Sequence, residues 1–211
     1  MSQVSTIFLI LAGLMAILDW IAVARESAVL EYVSKPLATG ALLATAVALD
    51  VSHDGPWAWR VAALAFCILG DVCLMLPRDA FIPGLASFAV GQVLFTVSFL
   101  SGDTSTSRFA VAVLVAVPVA ALLARRFVGA IRRAGRGELV VPVIVYMAVI
   151  SVMAVSAVAS GSALAIAGAL LFMLSDSLIA ESRFVKTRAW QPVAIMVTYH
   201  AALVGLTLAL V

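Results

Sequence analysis

The sequence predicts an all-α fold: a polytopic membrane helix bundle of about eight transmembrane helices, possibly arranged as two parallel four-helix halves. Three observations predict it. Hydrophobic residues fill 64% of the 211 positions and charged residues 11%, with a mean hydropathy of +1.19. Apolar runs close to the roughly 20 residues needed to cross a bilayer recur along the chain. The basic residues are also sorted: of 13 Lys and Arg, all but Arg60 and Arg108 fall in alternate connections. We read residues 1–211 as one integral membrane domain.

In chain order the spans are expected at 4–24, 35–51, 57–76, 80–100, 108–124, 139–159, 162–180 and 190–210. The first lacks a basic leader and has a long apolar run from Ile7 to Val23, so it reads as a spanning helix and not as a signal peptide. The second is short. It borrows Tyr32 and Val33, with Lys35 opening it and snorkelling. Pro36, Pro142 and Pro192 are expected in first turns, where the missing N–H is harmless. Pro118 falls inside the fifth span and should kink it. Gly13, Gly91, Gly161 and Gly168 are expected to let helix backbones approach closely.

The positive-inside rule turns the sorted charges into an orientation. Both termini are predicted extracytoplasmic and the basic loops cytoplasmic, in a bacterial-type plasma membrane. The loop from Arg125 to Glu138 carries Arg125, Arg126, Arg132, Arg133 and Arg136. It reads as a topology anchor against anionic lipid. The net charge of +2 says little about partners, because the basic residues are sorted by loop, and no nucleic-acid partner is expected.

Two carboxylates stand out inside apolar runs. Phe66 to Leu76 reads F-C-I-L-G-D-V-C-L-M-L, and Leu170 to Ala180 reads L-L-F-M-L-S-D-S-L-I-A. Each has a small residue, Gly70 or Ser175, before its acid, Asp71 or Asp176. A charge at the bilayer centre costs about 2.5–3.5 kcal/mol on insertion scales, and intramembrane acids face a bundle interior where they usually mark function. Both spans run toward the cytoplasm. Each Asp is expected about five residues before that end, roughly 7–8 Å deep at 1.5 Å per residue. The third and seventh spans are four apart and run the same way, which suggests the two halves.

The other candidate site residues are Lys35, Gln92, Tyr146, Ser175, Tyr199 and His200. Lys35 enters from the same side as the two acids, as their counter-ion or as a partner for a lipid phosphate, for which Arg78 and Arg183 at the cytoplasmic rim are the other candidates. Gln92 lies mid-span in the fourth helix, Tyr146 early in the sixth, and Tyr199 and His200 midway along the eighth. Asp19 is left unassigned. His53 and Asp54 read as solvated in an outer loop. Cys67 and Cys73 lie six apart on one helix and suggest neither a disulfide nor a metal site. The 2 His fall on opposite sides, which disfavours a His-rich zinc centre. No G-x-S-x-G elbow, P-loop or dinucleotide fingerprint is present. No cofactor is therefore called for. Two acids in a dry setting, with a Lys nearby to favour ionisation of one, give one acid and one base. That arrangement suits bonds whose cleavage passes through an oxocarbenium-like state.

K-P-L at Lys35 to Leu37, G-D-V-C-L-M at Gly70 to Met75 and F-I-P-G-L-A-S-F at Phe81 to Phe88 keep an order shared with a known family. So do G-A-L-L-F-M-L-S-D-S-L-I-A at Gly168 to Ala180 and T-Y-H at Thr198 to His200. Together they resemble the YhhN/TMEM86 family of lysoplasmalogenase-like membrane proteins. The resemblance implies an eight-span enzyme that hydrolyses the vinyl-ether bond of lysoplasmalogens to a fatty aldehyde and a glycerophospho-base. It also implies that Asp71 and Asp176 are catalytic. Gln92 stands where many relatives are expected to have His, and His200-Ala201-Ala202 replaces a Tyr/aliphatic-Ala-Gln run. The expected partners are a lysophospholipid substrate and the bilayer. Two other readings remain open: a small-solute or proton transporter using the same Asp pair, and a non-catalytic lipid-binding protein.

Overall fold

A computed structural model describes residues 2–49, 51, 53, 55–76 and 80–211. Among the described residues there are eight α-helices and no strands. They are α1 (Gln3–Ala24), α2 (Ala28–Ala48), α3 (Gly55–Met75), α4 (Phe81–Leu100), α5 (Thr106–Arg133), α6 (Val140–Ser160), α7 (Ala163–Phe184) and α8 (Gln191–Leu208). A 3-10 turn at Gly137–Leu139 leads into α6. Seven of these helices are long and apolar enough to cross a membrane. The exception, α2, is long enough, but Glu31, Ser34, Lys35, Thr39 and Thr45 dilute its hydropathy.

Local chemistry sets the helix ends. Ser2, Ser105 and Ser162 accept from the backbone N–H three residues on and cap α1, α5 and α7, satisfying donors that have no intrahelical partner. α1 ends in a Schellman turn: Glu26 N–H bonds to Val23 O and Ser27 N–H to Ala22 O, with Glu26 at φ 54°. α5 ends the same way at Gly135, φ 70°, where the absence of a Cβ makes the left-handed conformation cheap. α6 ends on Gly161, also left-handed. The Arg108 guanidinium covers that end and donates to the Ala159 carbonyl oxygen.

Three helices are longer than their apolar runs. α2 begins at Ala28, so Lys35 and Pro36 lie two turns inside it and not at its start. α5 runs through the basic segment to Arg133, so Arg125, Arg126, Arg132 and Arg133 are helical. α7 continues to Phe184, which leaves Asp176 eight residues from its helix end while Asp71 is four from Met75. The physical reason is common to all three. Hydropathy reports where lipid could lie, whereas backbone hydrogen bonding continues until a turn stops it.

Neighbouring helices pack α1 on α2, α2 on α3, α3 on α4, α4 on α6, α5 on α6, α6 on α7 and α7 on α8; α8 returns to α1 and α2. The two halves correspond: α4 closes on α6 as α8 closes on α2. α8 also reaches α1, where α4 and α5 make no comparable contact. Helices in lipid associate by close packing and polar contacts. A Cβ on Gly168 would lie 2.9 Å from Ala202 O, one on Gly205 3.0 Å from Leu164 O, and one on Gly91 3.2 Å from Ala63 O. Gly13, by contrast, faces open space, and Gly161 serves a turn. The core runs between these pairs, centred on Phe88, Phe95, Phe172, Tyr199 and Leu203. A smaller cluster at one end joins Phe81, Ile131, Val143 and Phe184. Nearby, Arg126 of α5 donates twice to Glu181 of α7, at 2.9 and 2.7 Å.

Candidate active site

Asp71 and Asp176 occupy corresponding helices, α3 and α7, and each accepts hydroxyl hydrogen bonds from neighbouring helices. Thr39 Oγ1 on α2 and Tyr199 OH on α8 both donate to Asp71 Oδ2 at 2.8 Å. Tyr146 OH on α6 donates to Asp176 Oδ2 at 2.6 Å. The second helix of each half thus supplies a hydroxyl to the acid on its third. Cys67, one turn before Asp71, is within electrostatic reach of both carboxylates. They do not hydrogen bond to each other.

The small residues before the acids have distinct jobs. A Cβ on Gly70 would lie 2.6–2.8 Å from the Phe88 ring. Its absence lets Phe88 press on α3, edge-on to Phe172 and Tyr199 at centroid distances of 6.1 and 5.9 Å. Ser175 donates to the Ile195 carbonyl oxygen at 3.1 Å and ties α7 to α8.

Two environments meet at Phe88. On one side is a largely apolar cleft. Leu74, Phe81, Leu85, Phe88, Phe127, Val143, Met147, Ile150, Met173, Ala180 and Phe184 are among the residues lining it. Asp176, Tyr146, Ser151 and Ser177 supply its polar groups. Gln92 is fully buried and lies beside the Tyr146 hydroxyl, but its amide makes no hydrogen bond of good geometry.

On the other side, α1, α2, α3 and α8 enclose a polar cluster. Lys35 is 5% exposed and not at a snorkelling position. It lies 3.9 Å from Glu31 and within electrostatic reach of Asp19, Asp71 and His200. Ser34 donates to Asp19 Oδ1 at 3.1 Å. Trp20 Nε1 donates to His200 Nδ1 at 3.0 Å. An indole N–H can only donate, so Nδ1 is the acceptor and the neutral imidazole carries its proton on Nε2. Asp19 Oδ2 and His200 Nε2 are buried without a partner.

The structure therefore brings Tyr146, Gln92 and Asp176 together at the cleft. Tyr199, Lys35 and His200 gather around Asp71, and Ser175 goes into helix packing. Arg78 and Asp54 lie outside the described residues. Sequence reasoning missed Thr39, Trp20 and Phe88 and left Asp19 unassigned. Thr39 was within reach, being one turn from Lys35 on the same face of α2. Among the described residues no group of His, Cys, Asp and Glu is arranged to hold a metal ion.

A helical, multi-pass membrane protein with an acid-bearing, largely apolar cleft in its bundle is the class that the fold and site define. Within that class the chain belongs to the YhhN family, whose model matches residues 30–210. It is 31% identical over 146 residues to the lysoplasmalogenase TMEM86B of Homo sapiens, covering 69% of this chain and 60% of that protein. It is also 31% identical over 172 residues to a lysoplasmalogenase of Mycobacterium bovis, covering 79% and 64% respectively. The lysoplasmalogenase TMEM86B of Rattus norvegicus is 29% identical over 159 residues, 75% of this chain and 64% of the relative. The chain thus spans less than two thirds of the length of these relatives. No solved structure matches it.

Proposed function

We propose that this protein hydrolyses the vinyl-ether bond of lysoplasmalogen-type single-chain phospholipids, with Asp71 and Asp176 as its acid/base pair. The observation that carries the reading is the cleft: a largely apolar space whose carboxylate, Asp176, accepts a hydrogen bond from Tyr146. The family relationship to proteins named lysoplasmalogenase supports the same chemistry.

In this mechanism Asp176, which lines the cleft, starts protonated and delivers its proton to the vinyl β-carbon. The ether carbon becomes an oxocarbenium ion. The new Asp176 carboxylate takes a charge-assisted bond from Tyr146, and Asp71 adds negative charge from the adjoining side of α3. Water adds to the cation and gives its proton back to the Asp176 carboxylate, and the hemiacetal collapses. The alkenyl chain leaves as aldehyde and the glycerol oxygen as alcohol, with one water consumed. The unpartnered polar atoms around Asp19 and His200 suit ordered water, since buried polar groups are normally satisfied. They offer a water source next to an otherwise dry cleft.

The sorted basic residues support both termini outside, which turns the cleft toward the cytoplasmic face. Aldehyde release by the purified protein across a panel of vinyl-ether, alkyl-ether and ester lysolipids tests the activity. Cleavage confined to the vinyl ether is expected. Proton flux in liposomes with no aldehyde from any lipid would favour a transporter that uses the same acids.

A further inference from the structure

The sequence places Gln92 among the substrate-binding candidates, but it is not among the residues lining the cleft. It is fully buried on α4, one turn from Phe88 and one turn from Phe95 on the same helix face. Both rings belong to the bundle core. An amide is a costly group to leave there, since buried polar groups are normally paired. Neither Oε1 nor Nε2 of Gln92 has a hydrogen bond of good geometry. The hydroxyl one turn on, Thr96, bonds to the Gln92 backbone carbonyl oxygen at 2.9 Å and not to the amide. The polar group beside the amide is the Tyr146 hydroxyl on α6.

Donor and acceptor roles decide what these two groups can share. Tyr146 has one hydroxyl proton and gives it to Asp176 Oδ2 at 2.6 Å. Its oxygen can then only accept. On Gln92, Nε2 can only donate and Oε1 can only accept. The one bond open between them therefore runs from Gln92 Nε2 to the Tyr146 oxygen. The last torsion of a Gln side chain is broad, so the amide can turn onto the hydroxyl without moving α4.

Resting on the proposed activity for its reaction, we propose that Gln92 is a positioning residue for Tyr146: its amide donates to the phenol oxygen and completes a one-way chain from Gln92 through Tyr146 to Asp176. The chain keeps the phenol proton on the Asp176 side. Successive hydrogen bonds polarise one another, so the amide also makes the phenol a stronger donor. That gain is largest once Asp176 has delivered its proton and become a carboxylate, which is where it accelerates the reaction. Gln92 acts through Tyr146 and does not touch the lipid.

The test reads the hydrogen bond and the turnover separately. Protein carrying ring-labelled tyrosine is compared by infrared spectroscopy with its Tyr146→Phe variant. The difference isolates the Tyr146 C–O stretch, which separates a phenol that only donates from one that donates and accepts. Gln92→Met, unbranched and of similar length, should move the band to the donor-only position. Gln92→His, whose ring N–H can donate, should leave it near wild type. In aldehyde release, Gln92→Met should lower kcat about 2- to 10-fold, the range of one neutral hydrogen bond, at unchanged KM. In a Tyr146→Phe background the same change should cost nothing further. The melting temperature of Gln92→Met should hold or rise, because two unpartnered polar atoms leave the core. A band unmoved by Gln92→Met overturns the proposal. A kcat loss that persists in the Tyr146→Phe background, or that follows a fall in melting temperature, also overturns it, since either reports packing. If the wild type releases no aldehyde from any lipid but the band moves, the pairing stands and the hydrolase reading falls. Aldehyde release with an unmoved band gives the reverse.

Discussion

Tyr146→Phe removes a single hydroxyl from the cleft and keeps the ring that packs there. That hydroxyl donates to Asp176 at 2.6 Å. In the proposed cycle the bond changes character: it meets a neutral carboxyl before proton delivery and a carboxylate at the transition state. Hydrogen bonds to charged groups are worth about 1.5–3 kcal/mol, and only the part gained in the transition state accelerates the reaction. At 1.36 kcal/mol per decade the loss is about 10- to 150-fold. It should fall on kcat and kcat/KM alike, because the ground state loses little. Tyr199→Phe is the internal comparison. Asp71 keeps Thr39 at 2.8 Å when Tyr199 is lost, so the cost there should be smaller. Initial rates of aldehyde release from a vinyl-ether lysolipid, beside thermal unfolding of each variant, give both numbers. A folded Tyr146→Phe protein with kcat within twofold of wild type, or one that changes KM alone, would refute the role given to Tyr146 and Asp176.

Asp71→Asn and Asp176→Asn should each lower turnover by about 10²–10⁴-fold or more, and the double variant by about as much as either alone; the wild-type pH–rate profile should be a bell belonging to the pair. Near wild-type rates from both folded single variants would end the catalytic assignment. Gly70→Ala should lower thermal stability, since overpacking against Phe88 costs about 1–3 kcal/mol while the gain in helix propensity is at most about 1 kcal/mol. Gly13→Ala, where a Cβ meets nothing within 4 Å, should not, and equal melting temperatures for the two variants would contradict the packing. Gly137→Cys in a Cys73→Ser background should resist an impermeant thiol reagent in intact cells, and ready labelling would reverse the orientation.

The helix count and most termini were legible because lipid imposes one demand on every span. The departures fall where that demand lapses. α2 reads as short because Glu31, Ser34 and Lys35 break its apolar run, yet Ser34 and Lys35 are buried and the helix starts seven residues earlier. The end of α5 was marked by Gly135, a turn signal that hydropathy does not register. The Schellman turn at Glu26 had no such mark, since a non-glycine takes the left-handed position there. The two acids were legible as anomalies in apolar surroundings. Their partition was not: Gly70 stood out only as the small residue before Asp71, and which ring lies against it depends on how α4 crosses α3. The bond from Trp20 to His200 joins residues 180 apart and has no local trace at either end.

The return of α8 to α1 and α2 bears on how the protein is made. A chain entering the membrane from its N-terminus inserts α8 after every other helix described here. Until then Asp71 has Thr39 but not Tyr199, Trp20 has no imidazole to bond, and Lys35 and Asp19 border a gap where α8 will lie. A nascent chain stopped before α8 would show that polar wall to lipid, at the cost that lipid exacts for unsatisfied groups. It would also lack the helix against which Gly168 and Ser175 pack. A chain stopped before α8 would carry both acids yet lack the helix that brings Tyr199 to Asp71 and His200 to Trp20.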